Sequence, residues 1–472
     1  MDDIRSNQAS KSNNNNKSNE ANKGNNNNKS NEANKGNNNN TINKSDNNDN
    51  NNRINKSDNN DNNNRINKSD NNDNNNRINK SDKDNKNNKS NKVNMSNTDN
   101  NFLYMIKGIA CILVIFIHCL FPGTVGKEIQ AASRFAVLSF FVVSGKYLLK
   151  GIPASTEAAI VRKKVASKIL HVLITALTLT FIYNIYSFVI AMTVGFGAAD
   201  LAAQKYNVHE LWLLLMFNSG KIIYDYTYDF DHLWYIYAVL YVFILVFIFA
   251  KRAKKWSGFL AFLFTAMLFF AQLLQLYYPI RPFDISIRTW YVVRNWLLVG
   301  IPFIMGGVWL DSAANDNQSS KAAELCRRLI YSCSSGKKAN RNRIIFIIIA
   351  IAGMFMAVIE YKRFGEMTAY VGSVVTIIAL MILGEAYDKC DGVFIKGNLL
   401  SYLGKYLSAN VYYFHVMILS IVGRIFFFLE KYPVYLWIKP IIVVIISVLV
   451  SELIHILKRK RSMIKNSELY KK

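Results

Sequence analysis

Several things are scarce in this 472-residue sequence. Residues 1–100 hold almost no aromatic or branched apolar residue, so they have nothing to bury against the entropy of ordering a chain. The five cysteines include no CxxC pair, which removes a disulfide framework and any zinc-site spacing, and no metal is expected. No Walker-type glycine loop is present, which argues against a nucleotide-driven pump. No charged-then-apolar segment with a small-residue cleavage site opens the chain, so no signal peptide is expected. Acidic residues are also short, with 32 Asp and Glu against 57 Lys and Arg, a net +25.

The charge divides unevenly. Residues 1–100 carry 17 basic and 13 acidic side chains, which leaves a net +21 on residues 101–472. Residues 13–24 and 25–36 are identical copies of NNNNKSNEANKG, and 53–64 and 65–76 are identical copies of RINKSDNNDNNN. Each 12-residue unit has at most one Ile, and a repeat that buries nothing cannot stack into a solenoid. Residues 1–100 are therefore expected to be a disordered Asn/Lys-rich tail. Asn-rich tracts can self-associate through side-chain ladders, but the regular Lys, Arg and Asp oppose it.

The rest is dominated by apolar runs near the length needed to cross about 30 Å of hydrocarbon. A soluble globular domain is thereby excluded, and a nucleic-acid partner is not expected, because the basic residues are parcelled out between apolar runs. The pattern predicts an all-α polytopic bundle of about ten spans, near 102–121, 133–150, 168–194, 232–250, 257–278, 290–310, 344–361, 367–386, 410–429 and 434–457. This gives a membrane domain over 101–460 and a short basic tail over 461–472. Alternate connections collect 27 and 9 Lys/Arg, so the positive-inside rule puts both termini in the cytosol.

Ionisable groups inside spans are expensive and mark function. Lys107 and His118 are 11 residues apart in KGIACILVIFIHC, which puts them on one helix face about 16 Å apart along the axis, Lys107 toward the cytosol. Arg134 opens the second span at the level of His118, and Ser144 lies toward its cytosolic end. His232 and Trp234 open the fourth span, also at the outer level, where Trp234 equally suits an interfacial belt. Arg294 should sit about a turn inside the sixth span and face the bundle interior. His415 is expected in the inner half of the ninth. The set describes a path with an anion-binding mouth in the cytosol and a proton-handling end near the outside.

These residues resemble the membrane acyltransferase 3 family. The resemblance rests on Lys107-x10-His118, on RF-x-V-x-x-FF-x-x-SG from Arg134 to Gly145, on HLWYIYAVLYVFIL, on VGIPFIMGGVWL and on NVYYFHVMILSIVG, in that order over about 102–457. The chain departs from the common pattern with Lys for Arg at 107 and with Lys146 where an aromatic often follows SG. The resemblance implies transfer of a short acyl group, usually acetyl, from cytosolic acyl-coenzyme A to a hydroxyl of a cell-envelope glycan or lipid-linked saccharide, at the plasma membrane. On that reading His118 is the general base, or carries the acyl group covalently, and Lys107 holds a coenzyme A phosphate. Arg134 or Arg294 stabilises the oxyanion or orients the acceptor, while Ser144, His232, Trp234 and His415 contact substrate. A transporter or flippase of a lipid-linked glycan is the alternative, since intramembrane Arg and His suit it too, and a multispan sensor or scaffold is a third reading.

Overall fold

A computed structural model of the chain describes residues 100–153, 155–223, 232–277, 290–316, 319–390 and 397–469. The repeat tail, apart from Asn100, lies outside the described residues, as do the acidic stretch 225–231 and the basic residues Arg281 and Arg288. All the regular elements among the described residues are helices, with no strand. In order they form α1 (Asn101–His118), α2 (Gly123–Ser133), α3 (Phe135–Leu148), α4 (Ala158–Thr193), α5 (Ala198–Lys205), α6 (Val208–Phe217), α7 (Trp234–Ile248) and α8 (Ala250–Tyr277). After these come α9 (Trp290–Val293), a π-turn (Trp296–Gly300), α10 (Ile301–Asn315), α11 (Lys321–Ser334), α12 (Ala339–Phe364) and α13 (Val371–Asp388). The chain closes with α14 (Leu399–Tyr402), a second π-turn (Leu403–Leu407), α15 (Ser408–Ile425) and α16 (Pro433–Leu469).

Eight of these helical stretches are long and apolar enough to cross a membrane. The other two expected spans, 133–150 and 232–250, form the shorter α3 and α7. Fifteen residues of α7 reach about 22 Å, and both helices bury most of their side chains inside the bundle. Each is joined to a neighbouring helix with a single residue between them. Arg134 alone separates α2 from α3 and keeps right-handed helical angles, and Phe249 alone separates α7 from α8. The connection after the first expected span is the helix α2. The basic stretch expected as a tail from 461 continues α16 as far as Leu469.

Small residues set how closely the inner helices approach. A Cβ on Gly145 would lie 1.9 Å from the Ile304 carbonyl oxygen, and one on Gly307 would lie 2.0 Å from that of Val142. The α3 and α10 backbones therefore touch, as small-residue crossings allow in lipid, and this explains why glycines stand in both the SG and the GG segments. Gly108 and Gly404 play the same part between α1 and the ninth span, where added Cβ atoms would meet the carbonyls of Leu400 and Tyr104.

The Lys/Arg-rich connections gather at one end of the bundle. Lys168 donates to the Tyr147 carbonyl at 2.6 Å, Lys254 pairs with Asp316 at 2.8 Å, and Lys389 donates to the Ala314 carbonyl at 2.7 Å. The N-cap of α1 is at this basic end too, because Asn100 donates to Asp388 at 2.7 Å and caps the Leu103 amide. His118, the last residue of α1, is thus at the opposite end.

Candidate active site

Three histidines from three separate segments meet at that opposite end. The His118 ring lies 5.2 Å from His415, and His415 lies 5.3 Å from His232. His118 comes from the last turn of α1, His415 from the middle of α15, and His232 from the turn that leads into α7. The expected depth of His415 is corrected here. The ninth span begins at Leu399 and not near 410, so sixteen residues precede His415 and it reaches the level of His118.

The surroundings fix two of the rings. His415 is 1% exposed, and its Nδ1 lies 3.1 Å from the Val411 carbonyl and 2.9 Å from that of Tyr412. Carbonyls only accept, so Nδ1 carries the hydrogen and Nε2 of the neutral ring is the acceptor nitrogen. His232 is 2% exposed and is enclosed by Tyr183, Tyr412 and His415, with ring centroids at 4.8, 5.6 and 5.3 Å. Neither of its ring nitrogens has a hydrogen-bond partner among the described residues, and buried polar atoms of this kind call for a ligand, water or functional role. Its carbonyl accepts from the Tyr412 hydroxyl at 2.6 Å, which ties α15 to the start of α7.

A polar ladder descends from the histidines into the bundle. Tyr412 stacks edge-on to Tyr235 at 5.3 Å, and the Tyr235 hydroxyl shares a 3.2 Å hydrogen bond with Ser144. Ser144 thus joins the site through Tyr235. Neither tyrosine stood out in the sequence, because aromatic residues opening a span read as an interfacial belt. Their spacing within WYIY and NVYYFH, each close to a histidine, was the available signal.

Trp234 and Arg294 form a second wall. The Arg294 guanidinium carbon lies 5.4 Å from the Trp234 ring centroid, a cation–π arrangement, and Trp234 also packs on Phe141 at 5.7 Å. Arg294 sits where the sixth span breaks between α9 and the π-turn. Asn295 makes that break, since its side chain accepts from the amides of Leu297 and Leu298 at 2.9 and 3.0 Å. Asn218 pins the π-turn to the start of α7. Fully buried and left-handed at φ 45°, it donates to the Trp234 carbonyl at 2.9 Å and accepts from the Trp296 amide at 2.7 Å. Arg134 stands at the α2–α3 junction, half-buried, within electrostatic reach of Tyr370 at the start of α13.

At the other end of α1, Lys107 is half-buried, 5.9 Å from the Tyr104 ring. No carboxylate among the described residues forms an ion pair with it. A cation held in an apolar setting without a counter-charge favours an anionic ligand. Lys405, from the π-turn of the ninth span, approaches the same Tyr104 ring at 5.6 Å.

Lys146, the departure noted after SG, is compensated inside the bundle. Its ammonium contacts Glu385 at 2.5 Å and Asp388 at 3.0 Å, with Lys146 and Glu385 each 1% exposed. Glu385 is a carboxylate within an apolar span.

Comparison with known families finds the acyltransferase 3 family model, described as an acyltransferase domain, matching residues 100–454. Comparison with curated proteins gives no match, and comparison with solved structures gives none. The matched segment contains every helix that brings His118, His232, His415, Trp234 and Arg294 together, and it covers most of the sequence; the chain belongs to the acyltransferase 3 family and is a membrane acyltransferase.

Proposed function

We propose that this acyltransferase moves an acetyl group from cytosolic acetyl-coenzyme A to a hydroxyl of a cell-envelope glycan or a lipid-linked form of it, in the plasma membrane with both termini cytosolic. The observation that carries the reading is the layout of α1. A half-buried cation with no carboxylate partner among the described residues stands near the basic end, and a histidine packed against a second histidine stands three turns away at the other. The coenzyme's pantetheine arm is of comparable length to that rise, so phosphate at Lys107 and thioester at His118 are compatible.

In the proposed step a ring nitrogen of His118 takes the proton of the acceptor hydroxyl. The alkoxide oxygen bonds to the thioester carbonyl carbon and gives a tetrahedral oxyanion, which Arg294 or Arg134 stabilises electrostatically. The carbon–sulfur bond then breaks, and the imidazolium returns the proton to the departing thiolate. Coenzyme A and the O-acyl product leave, and His118 is neutral again. His415 and His232 keep the His118 ring in place, and Trp234, Ser144 and the tyrosine ladder line the approach. His118→Ala tests this by release of free thiol from acetyl-coenzyme A in the presence of envelope glycan. The variant should fold and release none. Full activity would remove His118 from the chemistry.

A further inference from the structure

The proposed reaction gives α11 no part. Its 14 residues reach about 21 Å, too short to cross a membrane. Ala323, Cys326, Ile330 and Cys333 recur at helical spacing and form its buried stripe, which packs on α10 and α13. The outer face is mixed. Leu325 and Tyr331 are 58% and 71% exposed, and they stand among the exposed cations Lys321 and Arg328. Basic and large apolar residues on one outer face suit the boundary between lipid headgroups and acyl chains. The position of α11 agrees, because the spanning helices α10 and α13 both end beside it, at Asn315 and Asp388.

An open cavity of about 380 Å³ lies at this level, between α11, the end of α10 and Lys389 just past α13. Ala314, Ile330 and Tyr331 form its apolar walls, and Arg327, Arg328 and Lys389 bring three cations against the one acid, Glu324. Carbonyls orient two of the cations. Lys389 donates to the Ala314 carbonyl at 2.7 Å, and Arg327 donates to those of Ala313 and Asp316 at 3.1 and 3.3 Å. A carbonyl holds a cation in place but supplies no counter-charge. The Ala314 bond uses one of the three N–H groups of Lys389, and no carboxylate among the described residues pairs with this ammonium. Glu324 is engaged with Arg328, one turn along α11. Three cations against one acid leave the cavity with a surplus of two positive charges.

Oriented cations at the level where spans end, beside exposed apolar side chains, recognise an anionic head on an apolar stem. We propose that this cavity binds the phosphate headgroup of an anionic phospholipid, drawn from the leaflet at the basic end, with Lys389 and Arg328 as its phosphate contacts. A free phosphate would use the cations alone. A phospholipid also covers Leu325 and Tyr331, which are otherwise bare on the outer face of α11. The bound lipid fastens α11 to the membrane surface and ties it to the ends of α10 and α13. The inference is independent of which acyl donor and acceptor the enzyme uses.

The test is calorimetric titration of the full-length protein, in a neutral detergent, with dihexanoyl-phosphatidylglycerol, dihexanoyl-phosphatidylcholine and inorganic phosphate in turn. Wild type should bind the phosphatidylglycerol more tightly than either of the other two. Lys389→Gln and Arg328→Gln should each weaken that binding about tenfold, the worth of a charge-assisted hydrogen bond. The Arg328 side chain is 75% exposed, so its replacement leaves the fold intact and covers a Lys389→Gln protein that fails to fold. Glu324→Gln removes the acid from the cavity and should strengthen binding several-fold, an outcome that a purely structural role for these residues does not produce. Lys337→Gln/Lys338→Gln removes two exposed cations outside the cavity and should leave binding unchanged. Equal affinity for the two lipids, or unchanged binding in both Lys389→Gln and Arg328→Gln, would overturn the site. An equal loss in Lys337→Gln/Lys338→Gln would overturn it in favour of diffuse surface charge, and phosphate binding as tight as the lipid would overturn it in favour of a soluble anion.

Discussion

Replacing Lys146 by Met removes the ammonium that sits between Glu385 and Asp388 in the packed interior of α3 and α13. Lys146 and Glu385 are each 1% exposed and 2.5 Å apart, while Asp388 is 22% exposed and also contacts Lys150 at 3.3 Å and Asn100 at 2.7 Å. Asp388 therefore keeps partners after the change and Glu385 keeps little. Stranding one buried charge costs about 3–5 kcal/mol. Glu385→Gln is milder, because Lys146 still holds Asp388 at 3.0 Å, and a loss of about 1–3 kcal/mol is expected for the altered hydrogen bond. The double variant Lys146→Met/Glu385→Gln buries no stranded charge and should be more stable than Lys146→Met alone, with a coupling of about 1–3 kcal/mol. Unfolding free energies measured by steric trapping in bicelles resolve differences of this size. A Lys146→Met protein as stable as wild type, or a double variant less stable than Lys146→Met, would refute the compensation.

Two further outcomes follow from packing and hydrogen bonding. Gly307→Ala should sharply reduce the yield of monodisperse protein, since its Cβ would lie 2.0 Å from the Val142 carbonyl oxygen, whereas Gly306→Ala, whose nearest neighbour is Ala261 at 3.9 Å, should be tolerated. Asn218→Ala unpins Trp234 from Trp296, and kcat should fall about 10–100-fold through misplacement of the Arg294 wall, with KM for the acyl donor unchanged; an unaltered kcat would show that the pin positions nothing the reaction needs.

Much of the architecture was legible in the sequence because lipid makes long apolar runs a strong signal. It was less legible where protein replaces lipid as the surrounding medium. The segments 133–150 and 232–250 form the short inner helices α3 and α7, for which bilayer thickness does not set the length. The start of the ninth span was placed late because Gly404 and Lys405 read as loop, whereas a π-turn carries them inside a continuous helix. That one displacement put His415 at the wrong level of the bundle, away from His118. His118, His232, Trp234, Arg294 and His415 were visible as polar or aromatic oddities in apolar runs, and the helices bring them together. Asn218, Tyr235 and Tyr412 were not visible, since their roles come from partners on other helices, and Lys146 showed its meaning only beside Glu385, 239 positions away.

The central claim is acyl transfer dependent on His118. Its most direct test supplies purified protein in nanodiscs with acetyl-coenzyme A labelled in the acetyl group and with envelope glycan, and follows the label. Wild type should move the label from thioester to glycan, and His118→Ala should leave it on the thioester while eluting as a folded species. Thioester that stays intact with well-folded wild-type protein, or label that reaches glycan equally well without His118, would contradict the account.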